Sequence, residues 1–477
     1  MIILYGGLPG AAYYLLGNYT QDQGFRGRNG DSQHLDYQAG FKVEPTVNGT
    51  LTGIFQYVDG KSGDNSNLND WRYRNDPALR LHDRLHFYEL SYVHRFTPQA
   101  TFLAYGTFQN WKNHQIVPFI NTGTNESTGD ISTDNLKDVL KYDYEYHNIQ
   151  LQQQLVLGDH SFIAGFDYFA GNVKYNERLY DDFGLIDQYN YAPPLRSNSF
   201  YLLDYWRLSR QLLVELGVFK DFAKVSRVGL PQPLTNSVWS PRAGISYQIN
   251  ENHTLRLAVA RVLNSHIFLN PLLLPSEIAG FPWVFTTSRG ALVRLAGVAW
   301  EAQWDPKTFT VLRLTAHRVD TPDWDFDGNR IWWGLKRYQA SLILNRILFP
   351  SLGLSIGVQG KRIAPDPNSY ITEALGLPGL PNFTEIDAFM GLGYLHPSGW
   401  QAAIRTHLVQ QRLQYRDNNL FALVNLRLGK EFSNKRGLAS LEIDNVLNRH
   451  FFYALEPLKD PEFYPVRRIM LKLALYF

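Results

Sequence analysis

The sequence predicts an all-β fold, a transmembrane β-barrel of the outer-membrane kind with about 20 antiparallel strands, the whole of residues 1–477 forming one domain. Three observations predict it. Segments in which apolar and polar residues alternate with period two recur along the entire chain, the pattern of a strand with two unlike faces. The connections between them are alternately short and long, as in barrels with short periplasmic turns and long extracellular loops. The chain also ends on such a strand: Ile469, Leu471, Leu473, Leu475 and Phe477 share one face, and Arg468, Met470, Lys472, Ala474 and Tyr476 the other. In water an apolar terminal edge invites pairing with other chains, whereas closure removes the edge and lipid accepts the apolar face.

In order, the alternation predicts strands at 13–21, 34–43 and 50–58, then a long loop over 59–84 rich in Asn, Asp and Arg. Residues 85–96 turn at Thr97 and Pro98 into 100–111, and a second long polar loop runs to Lys141. Residues 142–157 turn at Gly158 and Asp159 into 161–174; residues 196–208 turn at Ser209 and Arg210 into 212–225. Residues 237–249 and 254–263 precede a long loop to Gly290 that contains Pro and Phe. Residues 292–304 turn at Asp305 and Pro306 into 308–319, and 331–348 turn at Pro350 and Ser351 into 352–362. Residues 383–395, 400–411, 419–430 and 437–447 close the series before the terminal strand.

Faces follow from the same period. Leu212, Val214, Leu216 and Val218 are expected outward with Glu215 and Gly217 inward; Ile149, Leu151 and Leu155 outward with Gln150, Gln152 and Gln154 inward. Leu312 and Leu314 are expected outward, with Arg313, Thr315 and His317 inward. An Arg or Lys turned into lipid at mid-depth costs about 2–4 kcal/mol, which fixes the register. Tyr201 and Tyr205, flanking Leu203, suit an interfacial aromatic girdle.

Composition narrows the function. No stretch approaches the roughly 18 uninterrupted apolar residues of a spanning helix. Lys and Arg number 46 against 44 Asp and Glu, a balance that gives no reason to propose a nucleic-acid partner. There are 0 Cys, which excludes disulfides and thiolate metal sites. Met1 to Gly17 is apolar and aromatic without the basic start or cleavage site of a secretory signal. It is read as the start of the barrel, a signal peptide and anything else upstream being outside this chain; an atypical signal ending near Ala12 is the other reading.

Candidate ligand residues cluster in the predicted loops. Trp71, Tyr73, Trp111, Phe281, Trp283, Trp324, Trp332 and Trp333 offer ring faces for a flat or glycan-like ligand, or an upper membrane girdle. Asp323, Asp325, Asp327 and Gly328 match the opening of an EF-hand calcium loop, but Gly334 stands where the bidentate Glu belongs. A solvated hairpin tip is preferred, so no cofactor is expected, with calcium at Asp323, Asp325 and Asp327 the option left open. The expected extracellular ligand set is Trp71, Tyr73, Trp283, Asp323, Trp324, Asp325 and Asp327. His34, His82, His86, His114, His147 and His317 show no shared ligand spacing, and no nucleophile system stands out, so neither a metal centre nor an enzyme is expected.

Two stretches resemble a known family. Ile443 to Phe452, with Asp444, Asn445, Asn448 and Arg449, followed by Tyr464, Pro465, Val466, Arg467, Arg468 and the strand to Phe477, is similar to the C-terminal signature of TonB-dependent receptors. Trp239 to Tyr247, then Asn250 to Ala260, resembles the central hairpin of the same barrels. The resemblance implies a Gram-negative outer membrane as location, insertion by the barrel-assembly machinery with Phe477, Leu475 and Leu473 as the assembly signal, and uptake of a scarce ligand such as a siderophore, cobalamin or an oligosaccharide. In that family an N-terminal plug and a short box engage TonB; neither is visible here, so the resemblance covers the barrel only, and the TonB complex is a partner only if an upstream plug exists. The expected partners are outer-membrane lipid, the assembly machinery and a small-molecule or glycan ligand. A passive porin-like diffusion channel, a plugless barrel fragment and, further off, an outer-membrane enzyme are the alternatives.

Overall fold

The chain folds into antiparallel strands in a computed structural model that describes residues 2–24, 29–64, 78–124, 131–192, 194–225, 233–264, 273, 275–283, 290–324, 330–365, 382–413, 418–432, 436–453, 462–463 and 467–475. The strands are β1 (Ile2–Leu8), β2 (Ala11–Asp22), β3 (Ser32–Thr46), β4 (Gly49–Ser62), β5 (Arg80–Thr97), β6 (Ala100–Thr124), β7 (Ile131–Leu157), β8 (His160–Asp181) and β9 (Gly184–Tyr191). Next come β10 (Pro194–Arg207), β11 (Leu212–Val225), β12 (Leu234–Asn250), β13 (His253–Leu263), β14 (Glu277–Ile278), β15 (Phe281–Pro282), β16 (Leu292–Asp305) and β17 (Thr308–Trp324). The rest are β18 (Arg330–Phe349), β19 (Leu352–Pro365), β20 (Phe383–Leu395), β21 (Trp400–Leu413), β22 (Asn419–Glu431), β23 (Gly437–Asp444), β24 (Phe452–Tyr453), β25 (Glu462–Phe463) and β26 (Arg468–Leu475).

One sheet contains 22 of these strands, against the roughly twenty the alternation predicts; β14 with β15 and β24 with β25 form two small hairpins. The sheet is a meander of antiparallel neighbours, with β9 and β10 pairing one after the other along β8. Among the described residues β1 pairs with β2 alone and β26 with β23 alone, so these two strands lie at the ends of the sheet.

Short turns are set by local chemistry. Gly158 takes a positive φ of 58°, and Asp305 closes its turn by accepting from Lys307 N at 2.7 Å and Thr308 Oγ1 at 2.9 Å. Asn445 and Asn448, the amides of the C-terminal signature, both adopt positive φ, at 50° and 53°. Asn445 Oδ1 accepts from Arg449 N and Asn448 Oδ1 from Arg467 N, so these residues fold the chain where it leaves β23 and enters β26.

The alternation places the faces as expected on most strands. Leu216, Val218, Ile149, Leu151 and Leu314 are exposed on the outward face, while Gln150, Gln152 and His317 are buried on the inward one. Leu471, Leu473 and Leu475 are exposed and Lys472 on the opposite face reaches Glu442. Tyr201 and Leu203 depart from expectation: they point inward and are 5% and 4% exposed, while Phe200 and Leu202 take the outward face. Around residues 200–203 both faces of β10 are apolar, so the period holds and the side is reversed.

The polar stretch read as a loop over 112–141 is also largely strand. β6 runs to Thr124 and β7 starts at Ile131, giving strands of 25 and 27 residues where a membrane needs about 9–11. Outside the bilayer nothing requires one face to be apolar, so no alternation marks the strand in the sequence.

Candidate functional site

The long-loop end of the sheet carries an inward-facing aromatic wall. Tyr142, Tyr144 and Tyr146 occupy alternate positions of β7, so all three rings point into the lumen. Trp111 of β6 stacks on Tyr144 with centroids 4.7 Å apart, Tyr146 stacks on Phe169 of β8 at 5.5 Å, and Tyr142 meets Tyr175 at 5.0 Å. Asp83 of β5 fixes the edge of the wall by accepting from Trp111 Nε1 at 3.0 Å and Asn113 Nδ2 at 2.5 Å.

Carboxyls border these rings. Asp138 and Glu177 face each other from β7 and β8, and Tyr175 donates its hydroxyl to Glu177. Burial, then the neighbouring Glu177 carboxyl, push Asp138 up to about 6. Burial and the bond to Glu177 raise Tyr175 as well. A planar or hydroxyl-bearing ligand entering from the loops would meet ring faces for stacking and carboxyls for hydrogen bonding.

Below this mouth, the connection between β13 and β16 folds into the lumen. Ile278, Ala279 and Phe281 are each 1% exposed, packed against the inner wall with Tyr201, Leu203, Phe219, Ala258, Leu295 and Ala299. The wall makes room with glycine. A Cβ on Gly297 would stand 2.5 Å from Phe281 Cδ1, and one on Gly244 would stand 2.8 Å from Ile278 Cγ1.

Polar bonds tie the segment down. Ala279 N donates to Glu215 Oε2 at 2.8 Å; Leu273 N donates to Gln150 Oε1 at 2.9 Å, and Gln152 Nε2 donates to Leu273 O at 2.6 Å. The Arg242 guanidinium lies between two rings, 3.5 Å from the Phe219 centroid and 3.6 Å from that of Trp283. The facing wall is open and charged: Glu442 accepts from Lys472 Nζ at 2.7 Å, and Asp444 from Arg468 Nη2 at 2.6 Å.

Of the residues singled out in the sequence, Trp283 is described and is no loop tip. It lies in the lumen, 7% exposed, on Arg242. Phe281 is likewise luminal, while Trp111 joins the aromatic wall. Asp323 and Trp324 end β17, paired with Ile331 and Arg330. Trp71, Tyr73, Asp325, Asp327 and Phe477 lie outside the described residues. Among the described residues no three His, Asp or Glu side chains gather to hold a metal. The alternate tyrosines of β7 are functional residues outside the set expected from the sequence; their signal is three tyrosines separated by single charged residues at 142–146.

The profile of one family, TonB dependent receptor-like, beta-barrel, matches residues 12–275, more than half of the chain. The chain belongs to the TonB-dependent receptor β-barrel family. The match includes the central hairpin at 239–260 and ends well before the C-terminal signature. No curated protein sequence matches this receptor barrel. Its fold is similar to that of the ferric-catecholate import receptor of E. coli K12, at 11% identity and TM-score 0.70, covering 100% of this chain and 79% of that one. The ferric citrate transporter in its unliganded form gives 13% identity and TM-score 0.71, with 99% and 74% covered. The ferripyoverdine receptor of the outer membrane of Pseudomonas aeruginosa gives 11% and 0.70, with 99% and 69% covered. These receptors and transporters share the barrel; at such identities the likeness speaks to fold alone. The protein is an outer-membrane receptor or transporter barrel by family.

Proposed function

We propose that this barrel captures a scarce small ligand, a siderophore-like chelate or an oligosaccharide, at its extracellular mouth and passes it through the lumen in a TonB-dependent cycle. The observation that carries the proposal is the inward aromatic wall of Trp111, Tyr142, Tyr144, Tyr146, Phe169 and Tyr175 with Asp138 and Glu177 beside it. Its rings stand above the membrane span: Tyr146 is eleven residues from Leu157 at the short turn, about one spanning strand length. The similar barrels include a ferric-catecholate import receptor, a ferric citrate transporter and a ferripyoverdine receptor, which supports a chelate as the first ligand class to test. The TonB complex is the energy partner where a plug is joined to the barrel, and the assembly machinery inserts it through the terminal strand at Leu473, Leu475 and Phe477. Trp71, Tyr73, Asp323, Trp324, Asp325 and Asp327 are proposed as further rim contacts, with calcium at the aspartates the open option.

A panel of ferric siderophores and oligosaccharides titrated against the purified barrel, read by tryptophan fluorescence, tests the reading. We expect one class to quench, and Trp111→Ala with Tyr144→Ala to weaken it about tenfold, since each stacked ring pair adds roughly 0.5–1.5 kcal/mol. A panel without binding, or binding untouched by both substitutions, would overturn it.

The inward segment favours a second reading, a passive diffusion channel constricted by a folded-in loop. Planar-bilayer recordings separate the two: large steady currents from the unaltered barrel belong to the channel, silence to the receptor.

A further inference from the structure

On the outward face, four cations stand in one cross-strand register over four consecutive strands. Arg261 of β13 pairs with Arg294 of β16, Arg294 with Arg318 of β17, and Arg318 with Lys336 of β18. Their face is fixed by their neighbours two residues along, since Val259 and Tyr338 are exposed on the outside, and Arg294 and Arg318 are themselves exposed. Like charges directly opposite destabilise a sheet, so the row costs stability unless anionic groups lie against it. Asp320 meets part of the charge, with Arg318 Nε at 2.9 Å and Arg294 Nη2 at 3.5 Å. Arg261 Nε is buried and has no hydrogen-bond acceptor.

The row has a defined height and a floor that is apolar up to Arg362 at its edge. Arg318 is ten residues beyond Thr308, which follows the short turn, and about 9–11 residues cross a membrane. The cations therefore lie at headgroup level in the outer leaflet. The next row toward the membrane is Ala243, Val259, Ala296, Ala316, Tyr338 and Arg362, and the one after it Ile245, Leu257, Val298, Leu314, Ala340 and Gly360.

Small residues among these rows leave a trough of about 820 Å³. It opens outward, because Ile278 and Phe281, which cover Gly244 and Gly297 from inside, are absent from its lining. A charged row above an apolar trough matches an amphiphile with an anionic head.

We propose that this surface binds a phosphorylated glycolipid of the outer leaflet, its phosphates on Arg261, Arg294, Arg318 and Lys336 and an acyl chain in the trough. Guanidinium groups hold phosphate through paired, charge-assisted hydrogen bonds, and a phosphate between adjacent strands turns their repulsion into cohesion. The proposal rests on the membrane placement of the barrel and not on what the lumen carries.

The test uses the purified, delipidated chain in nonionic detergent, with bisphosphorylated lipid A as probe and its dephosphorylated form as control. Binding is read by native mass spectrometry and by the shift in thermal unfolding. We expect the phosphorylated probe to bind and raise the unfolding midpoint, and the dephosphorylated one to do neither. Replacing all four cations by Gln (R261Q, R294Q, R318Q, K336Q) should weaken binding roughly a hundredfold or more, at about 1 kcal/mol per cation near the surface. Without lipid, that variant leaves Asp320 without its two cations, so its own unfolding midpoint is the baseline against which the lipid-induced shift is read. Should it fail to fold, the pair Arg294→Gln and Lys336→Gln gives the same comparison with a smaller loss. Ala316→Phe, which fills the trough and keeps every cation, should weaken the probe while leaving inorganic phosphate indifferent. Equal affinity for the dephosphorylated probe, equal affinity in the Gln variants, or equal affinity for phosphatidylglycerol would overturn the proposal. Loss of folding at the membrane would show instead as a missing heat-modifiable band, which marks failure of the barrel reading and not of the lipid site.

Discussion

The wall from β7 to β17 and the wall from β20 to β26 share spacing, pairing and an apolar outward face, yet their inward faces differ in kind. The first presents Tyr201, Leu203, Phe219, Ala258 and Leu295 and is covered by the segment around Phe281; the second, beyond a small cluster of Val409 and Phe421 under Phe451, presents Arg427, Glu442, Asp444, Arg468 and Lys472 to open lumen. The comparison teaches that the outward face of this barrel is fixed by the bilayer, whereas the inward face is fixed by whatever lies against it. A packed inner wall responds to substitution like a protein core, and a solvated one like a surface.

The largest expected effect is at the centre of the packed wall. Phe281→Ala should cost about 3–5 kcal/mol of local stability and release the luminal segment, seen as a lower unfolding midpoint together with new steady conductance across a planar bilayer. Silence with an unchanged midpoint would mean the two walls do not differ as described. Gly297→Val should act in the same direction at about 1–3 kcal/mol, since the added carbon would meet the Phe281 ring, and hydrogen exchange along β16 would report it.

A subtler difference concerns pH. The folded Asp138 carboxyl is raised from its ordinary 3.8 to about 6, so the fold holds its proton more tightly than the unfolded chain does. Stability of the β7–β8 extension should therefore rise as pH falls from above 6 toward 4, and Asp138→Asn should flatten that dependence; proteolysis of the extension across this range measures it. Smallest of all, Lys472→Gln on the open wall should change stability by less than about 1 kcal/mol, because its bond to Glu442 is solvated and its side chain is 57% exposed. A chemical-denaturation midpoint shifted by more than this would place Lys472 in a packed environment.

Which parts of this were legible in the sequence follows from the same contrast. Leu216 and Val218 beside Glu215, or Ile149 and Leu151 beside Gln150, gave the face at once because only one side was apolar. Tyr201 and Leu203 read as an outward girdle face and lie inward instead, because the distant chain segment around Phe281 covers them and makes the inner side apolar too. The position of Trp283 was hidden for the same reason, since its partner Arg242 lies on a different strand. Residues 112–141 read as loop because a strand outside the bilayer needs no apolar face and so lacks the alternation that betrays it. Asn445, which the alternation assigns to a strand over 437–447, instead turns the chain with Asn448 at positive φ, a departure that residue type and not period would have indicated.

The length of β7 has an outcome for how such a receptor changes its diet. The odd positions Lys141, Asp143, Glu145 and His147 form a second surface on the back of the tyrosine row, charged where the first is ringed. Deleting one residue below them would turn the strand over and exchange the two surfaces wholesale, with no new side chain required. A single codon lost there would trade a stacking platform for an ionic one, a route to a different cargo that point substitution would need several steps to reach.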